Sequence, residues 1–151
     1  MRIETVENFI EILSKMKHKS KNVICFRGQS DKNWKMLPGI LRSENNELLK
    51  NEDKMIRDLI VAKPSEFLAD NSMFDVLVRM QHFGLPTRLL DVSFNPLVAL
   101  YFAVKEGDDE TEGVVFYLEI PEGRQKYYDS DSISISANIC NLKILEKNFI
   151  E

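Results

Sequence analysis

A chain of 151 residues with 44% apolar and 29% charged side chains has the size and composition of a one-domain soluble globular protein. Its formal net charge of -4 argues against the broad electropositive footprint that duplex nucleic acid requires, although a local basic patch is compatible with an acidic total. No apolar run approaches the roughly 18 residues of a membrane-spanning helix, and the opening Met1-Arg2-Ile3-Glu4 lacks a signal-peptide core, so a cytoplasmic setting is expected.

In chain order, Thr5 is placed to cap a first helix, with Val6, Phe9, Ile10, Leu13 and Met16 on one face at helical spacing. Val23-Ile24-Cys25-Phe26-Arg27 is short, apolar and β-prone, and Gly28 closes it, which predicts a buried strand with Arg27 at its carboxyl end. Trp34 to Leu41, with Pro38-Gly39 inside, reads as a turn-containing connection. A mostly helical segment follows from about Glu44 to Ala62, its buried face drawn from Leu48, Met55, Ile56, Leu59 and Ile60.

Pro64 breaks that segment, and Phe74, Leu77, Val78 and Gln81 mark another helix behind the cap cluster Asp70-Asn71-Ser72. Gly84 and Pro86 stop it. Arg88 to Ser93 is too short for a helix and is expected to be a short strand, after which Asn95-Pro96 supply an N-cap and a first helical residue. Leu97, Leu100, Tyr101 and Val104 form the stripe expected to anchor that helix to the core. Gly107 to Gly113 is an acidic loop, Val114 to Ile120 is the clearest strand, and Pro121 ends it. Ser132 to Ser136 alternates Ser with Ile and is compatible with either a half-buried strand or a capped helix start. The final residues, Asn141 to Glu151, read as a helix with no stop signal, the pattern expected of a chain cut short. Helices and strands mix without a βαβαβ rhythm, so the expected class is α+β: one domain, 1–151, with N-terminal helices packed on a small mixed or antiparallel sheet.

Two places concentrate reactive groups. After four residues expected to be buried, Arg27 carries a planar fork of donors suited to phosphate or carboxylate; a structural ion pair is the competing role. Gly28 allows a ligand or another backbone to approach closely. The stretch Gln81-His82-Phe83-Gly84-Leu85-Pro86-Thr87-Arg88-Leu89-Leu90-Asp91 is denser still. An imidazole suits acid-base work, which makes His82 a candidate acid or base; a capping or core histidine is the competing role. Arg88 and Asp91 sit at odd spacing, on opposite faces of an ideal strand, which favours separate roles over a direct bridge. Two histidines and two isolated cysteines, Cys25 and Cys140, offer no metal-ligand spacing, and the cysteines read as buried free thiols. Phosphate loops and nucleophile elbows are absent from the sequence.

Phe26-Arg27-Gly28-Gln29, followed by Gln81 to Asp91 and then by Asn95-Pro96-Leu97-Val98-Ala99-Leu100-Tyr101-Phe102-Ala103, resembles the FRG domain family, named for a (Phe/Tyr)-Arg-Gly motif, over roughly residues 5 to 140. That family is found largely in bacteria and their phages. A weaker likeness is to ADP-ribosyltransferases, in which an early strand ends in aromatic-Arg-Gly, a later Ser-bearing strand runs into a helix, and a further strand brings a catalytic Glu. The likeness implies that Arg27, with Gly28 and Gln29, grips NAD, used as a substrate, with Gln81, Arg88 and Ser93 completing the ligand site. Departure of nicotinamide then passes through an oxocarbenium-like state, with Asp91, Glu119 or His82 as candidate catalytic groups and no metal. Such an enzyme fits a toxin or phage-defence effector. The alternative is a non-catalytic module that holds a nucleotide-like small molecule without turning it over.

Overall fold

The computed structural model describes residues 2–19, 21–42, 46–106 and 111–147. The fold is α+β, built on a two-stranded antiparallel sheet of β1 (Val23–Gln29) and β2 (Val114–Ile120). The register runs from Val23 opposite Ile120 to Gln29 opposite Val114, so Arg27 faces Phe116 and Ile24 faces Glu119. Across the ladder Phe26 and Tyr117 meet edge to face, ring centroids 5.7 Å apart, a geometry that favours aromatic pairs.

Helix α1 (Val6–Lys15) begins where Thr5 accepts a hydrogen bond from the Asn8 N–H. Only part of its apolar stripe is buried: Phe9 is enclosed, Ile12 and Leu13 are half-buried, and Val6, Ile10 and Met16 face outward. The expected helix beyond residue 44 is divided into α2 (Glu47–Lys50) and α3 (Glu52–Ala62), and Pro64–Phe67 forms a short 3-10 turn. Ser72 caps α4 (Met73–His82) in a reciprocal capping box with Asp75, which satisfies two backbone donors at once. Asp70, just before it, holds Arg79 through a bidentate contact at 2.6 to 2.9 Å.

Helix α5 (Pro96–Val104) starts as the Asn95-Pro96 pair predicts, with Asn95 accepting from the Leu97 N–H at 2.9 Å. Its orientation corrects the expected one. The buried residues are Ala99 and Ala103, whereas Leu97, Tyr101 and Val104 are exposed. Gly28 explains the reversal: a Cβ built there would lie 1.8 Å from the Ala99 carbonyl oxygen and 2.8 Å from the Ala103 nitrogen. Strand and helix backbones touch directly, so only the small-residue face of α5 can lie against β1. Gly113 repeats the arrangement, its built Cβ falling 2.0 Å from the Ala103 carbonyl.

The expected strand at Arg88 to Ser93 does not form. A single bridge links Ser93 to Phe26, the two residues exchanging N–H···O bonds of 2.7 and 2.8 Å. Extension of that ladder is blocked because the Arg27 guanidinium takes the Asp91 carbonyl and α5 closes against β1 at Gly28. Ser132 to Ser136 belongs to α6 (Asp131–Asn138), and the chain continues through a 3-10 turn at Ile139–Asn141 to α7 (Ile144–Lys147). The acidic loop at 107–110 and the end of the expected terminal helix, 148–151, lie outside the described residues.

A second core, separate from the sheet, gathers Ile56, Phe67, Leu77, Met80, Ala137 and Cys140 between α3, α4 and α6. Glu52 lies beside it, with a side chain 3% exposed, facing Lys147 at 2.6 Å (2% exposed) and Arg88 at 2.8 Å. Both cysteines are buried and free. Burial, reinforced by the charge of Glu52, pushes the Cys140 thiol up to about 11. Among the described residues no helix is long and apolar enough to cross a membrane.

Candidate functional site

The site begins at the carboxyl end of β1. Alternation along the strand puts Arg27 and Gln29 on one face, and the chain returning from α4 passes in front of Arg27. There the Arg27 Nη1 donates to the Asp91 carbonyl at 2.6 Å. Asp91 in turn receives the Gln81 amide at its Oδ2, while the Gln81 Oε1 accepts from the Thr87 hydroxyl at 2.8 Å. Thr87, buried, accepts the Leu89 N–H at 3.1 Å. This chain of bonds holds Gln81, Thr87 and Asp91 in fixed relation to Arg27.

Gly84, with φ of +83°, makes the turn that lets the chain double back from α4. Such a φ suits glycine, which has no Cβ to clash. The result is a cleft of about 320 Å³ lined by Arg27, Arg42, Gln81, Thr87, Leu90 and Asp91 among others, within the range of small-molecule sites. A smaller cleft of about 110 Å³ adjoins it and shares Arg27 and Arg42, its remaining wall including Gln29, Trp34, Phe102 and Lys105.

The electrostatics of the pair of guanidiniums are unusual. Burial and then the facing charge of Arg42 depress the Arg27 pKa, and Asp91 works the other way. Neither arginine makes an ion pair with a carboxylate among the described residues; Arg42 donates its Nε to the Leu37 carbonyl at 2.8 Å. The Arg27 Nε is buried and has no hydrogen-bond partner among the described residues. Two guanidiniums held in one cleft without a neutralising carboxylate contact form a site that an anion stabilises.

Other residues singled out from sequence lie elsewhere. Arg88 turns away from the cleft and donates its Nε to both oxygens of Glu52 at 2.8 and 2.9 Å; its Nη2 lies 2.8 Å from Oε2 as an ion-pair contact rather than an aligned hydrogen bond. The expected convergence of Arg27, Arg88 and Asp91 is therefore corrected: Arg27 and Asp91 share the cleft, and Arg88 belongs to a buried ion cluster. Glu119 sits three residues along the sheet from the Arg27 level, about 10 Å at strand spacing. Its carboxylate accepts from the Lys19 N–H at 3.0 Å and from Asn22 at 2.8 Å, contacts that hold it below the usual carboxylate range and tie down the approach to β1.

His82 is exposed at the end of α4, its ring edge-on to Phe83, and lines neither cleft. Ser93 uses its hydroxyl to accept the Asn95 N–H at 3.0 Å, a turn contact ahead of α5. Gly28 borders the smaller cleft, but contact with α5 accounts for its missing side chain. Among the described residues no cluster of three or more His, Cys, Asp or Glu side chains is disposed to hold a metal ion.

Arg42, Thr87, Trp34 and Phe102 were not among the site residues expected from the sequence. Arg42 follows a Pro-Gly turn without any motif around it, and only the fold brings it opposite Arg27. Thr87 was legible as part of the dense Gln81 to Asp91 stretch, where its place between Gly84-Leu85-Pro86 and Arg88 marks the return of the chain.

An α+β scaffold with paired arginines over a Gln-Asp hydrogen-bonded loop is thus the class of site this chain builds. Residues 22–112 match the FRG domain, and the chain belongs to the FRG domain family. That span runs from the start of β1 through α5 and contains Arg27 and the whole Gln81 to Asp91 stretch, whereas α1, β2, α6 and α7 lie outside it. No curated protein and no solved structure matches the chain.

Proposed function

We propose that the Arg27 cleft binds a phosphate-bearing, nucleotide-like small molecule. The observation that carries this reading is the pair of guanidiniums, Arg27 and Arg42, lining one cleft without carboxylate ion pairs among the described residues. Arg27 and Arg42 hold the phosphate, and the Asp91 carboxylate, braced by Gln81, accepts from sugar hydroxyls beside it. NAD and ADP-ribose are the first ligands to test. In calorimetric titrations wild-type protein is expected to bind ADP-ribose saturably, and Arg27→Ala or Arg42→Ala to weaken binding about tenfold or more, the scale of one lost charge-assisted hydrogen bond. Absence of saturable binding by the wild type, or equal affinity in all three proteins, overturns the reading.

A second reading, ADP-ribosyl transfer from NAD, is favoured by one observation: Asp91 lines the same cleft as Arg27. A carboxylate there stabilises positive charge developing on the ribose as nicotinamide departs. Glu119 and His82 line neither cleft, which leaves Asp91 as the catalytic candidate among the three. Nicotinamide release by the wild type, abolished in Asp91→Asn with NAD binding retained, supports cleavage of NAD at this site, and ADP-ribose bound covalently to an acceptor rather than free in solution supports transfer; release at the wild-type rate in Asp91→Asn removes Asp91 from the chemistry.

A further inference from the structure

The smaller cleft beside Arg27 is walled by two residues that each carry a buried polar atom with no partner among the described residues. Gln29 is 3% exposed, and its Oε1 has no hydrogen-bond partner among the described residues; neither has the Arg27 Nε. The Gln29 amide nitrogen donates to the Lys35 carbonyl at 3.5 Å, which leaves the oxygen as its free end. Because residues i and i+2 of a strand share a face, a buried donor and a buried acceptor stand on the same side of β1, at the wall of one cleft. Buried polar groups are normally paired, and an orphan of each sign at one place calls for an explanation.

We infer that this cleft receives the ring of the ligand, a planar heterocycle whose edge carries an N–H donor next to an acceptor. The ligand N–H donates to the Gln29 Oε1, and the ligand acceptor takes the Arg27 Nε–H. Trp34 and Phe102, both about half-exposed at this cleft, supply aromatic faces on which such a ring stacks, an interaction that tolerates any heterocycle. Gln29 and Arg27 then select for the edge. The two orphan atoms are closed to bulk water, so the ligand edge reaches them only as side chains at the cleft shift, a rotamer change that exposed side chains make within nanoseconds. An aminopurine and a carboxamide-bearing pyridine both present the required edge.

The inference rests on the reading of Arg27 and Arg42 as the phosphate site, which both clefts share. Trp34 is the only tryptophan in the chain, so its fluorescence reports on the smaller cleft alone. Titrations with ribose 5-phosphate, AMP and nicotinamide mononucleotide separate the parts: the first carries phosphate and no ring, the second the aminopurine, the third the carboxamide. At least one ring-bearing ligand is expected to change Trp34 emission and to bind about tenfold more tightly than ribose 5-phosphate, and whichever does so identifies the ring. Gln29→Met, close in volume but without the acceptor, is expected to erase that tenfold advantage while leaving ribose 5-phosphate affinity unchanged, which also shows that the variant is folded. Trp34→Leu is expected to reduce the same advantage, followed by calorimetry. Equal affinity for all three ligands, or a ring advantage untouched by Gln29→Met, refutes the ring site and leaves the phosphate site standing; binding of none refutes both.

Discussion

Arg27 and Arg88 each belong to a cluster dense in special residues, yet the fold treats them in opposite ways. Arg88 meets Glu52 through its Nε and Nη2 and shares that carboxylate with Lys147. Arg27 reaches a backbone carbonyl and faces a second arginine, and its Nε has no partner among the described residues. Around Arg88 one carboxylate touches both cations directly, and the group is sealed next to a hydrophobic core. Around Arg27 two cations line an open cleft with the Asp91 carboxylate, and neither forms an ion pair among the described residues. Residue type alone therefore does not mark a binding site; the lack of a direct carboxylate contact is what sets Arg27 apart from Arg88.

The largest expected effect lies on the Arg88 side. Glu52→Gln leaves two cations facing a neutral amide, and breaking a buried ion pair in this way typically costs about 3–5 kcal/mol, to be read from urea unfolding. Arg27→Ala, measured identically, is expected to shift stability by less than about 2 kcal/mol, since one charge-assisted hydrogen bond is lost while the repulsion from Arg42 is relieved. A loss in Arg27→Ala as large as that in Glu52→Gln would make Arg27 a structural residue and break the contrast.

Gly28→Ala sharpens it next. The added methyl meets the α5 backbone rather than any cleft wall, so a loss of about 1–3 kcal/mol from overpacking is expected, and a variant that retains native stability with diminished ligand binding assigns Gly28 to the ligand instead. The smallest effect concerns Glu119. Its folded pKa is lowered, mainly by the Lys19 N–H, so its contribution to stability is present above the unfolded-state value of about 4.3 and is lost as pH falls through the lowered folded value. Glu119→Gln is expected to flatten the acid limb of the stability profile slightly and to leave ligand binding unchanged; impaired binding would restore Glu119 to the site.

Local signals carried far along this chain. Thr5, Ser72 and Asn95-Pro96 name the starts of α1, α4 and α5 because capping depends on one side chain and the next turn of backbone, and β2 is apparent from an uninterrupted β-prone run bounded by glycine and proline. The apolar stripes were less dependable. In α5, where nearly every residue is apolar, no side is marked by polarity, and the choice of the Ala99 and Ala103 face was made by Gly28 on a strand about 70 residues earlier. The segment at Arg88 to Ser93 looked like a strand, but a strand forms only where an edge is free to pair, and the Arg27 side chain together with α5 occupied that edge.

The sequence by itself determined the two clusters, the α+β class and most element starts, all of which follow from neighbours within a few positions. Only the tertiary structure decided which arginine was neutralised: Glu52 lies 36 residues before Arg88 and Lys147 lies 95 after Glu52. It likewise set Arg42 opposite Arg27 and drew Glu119 and His82 away from the cleft. Charge compensation acts through space over a few ångströms, and distance along the chain says little about which charges will meet.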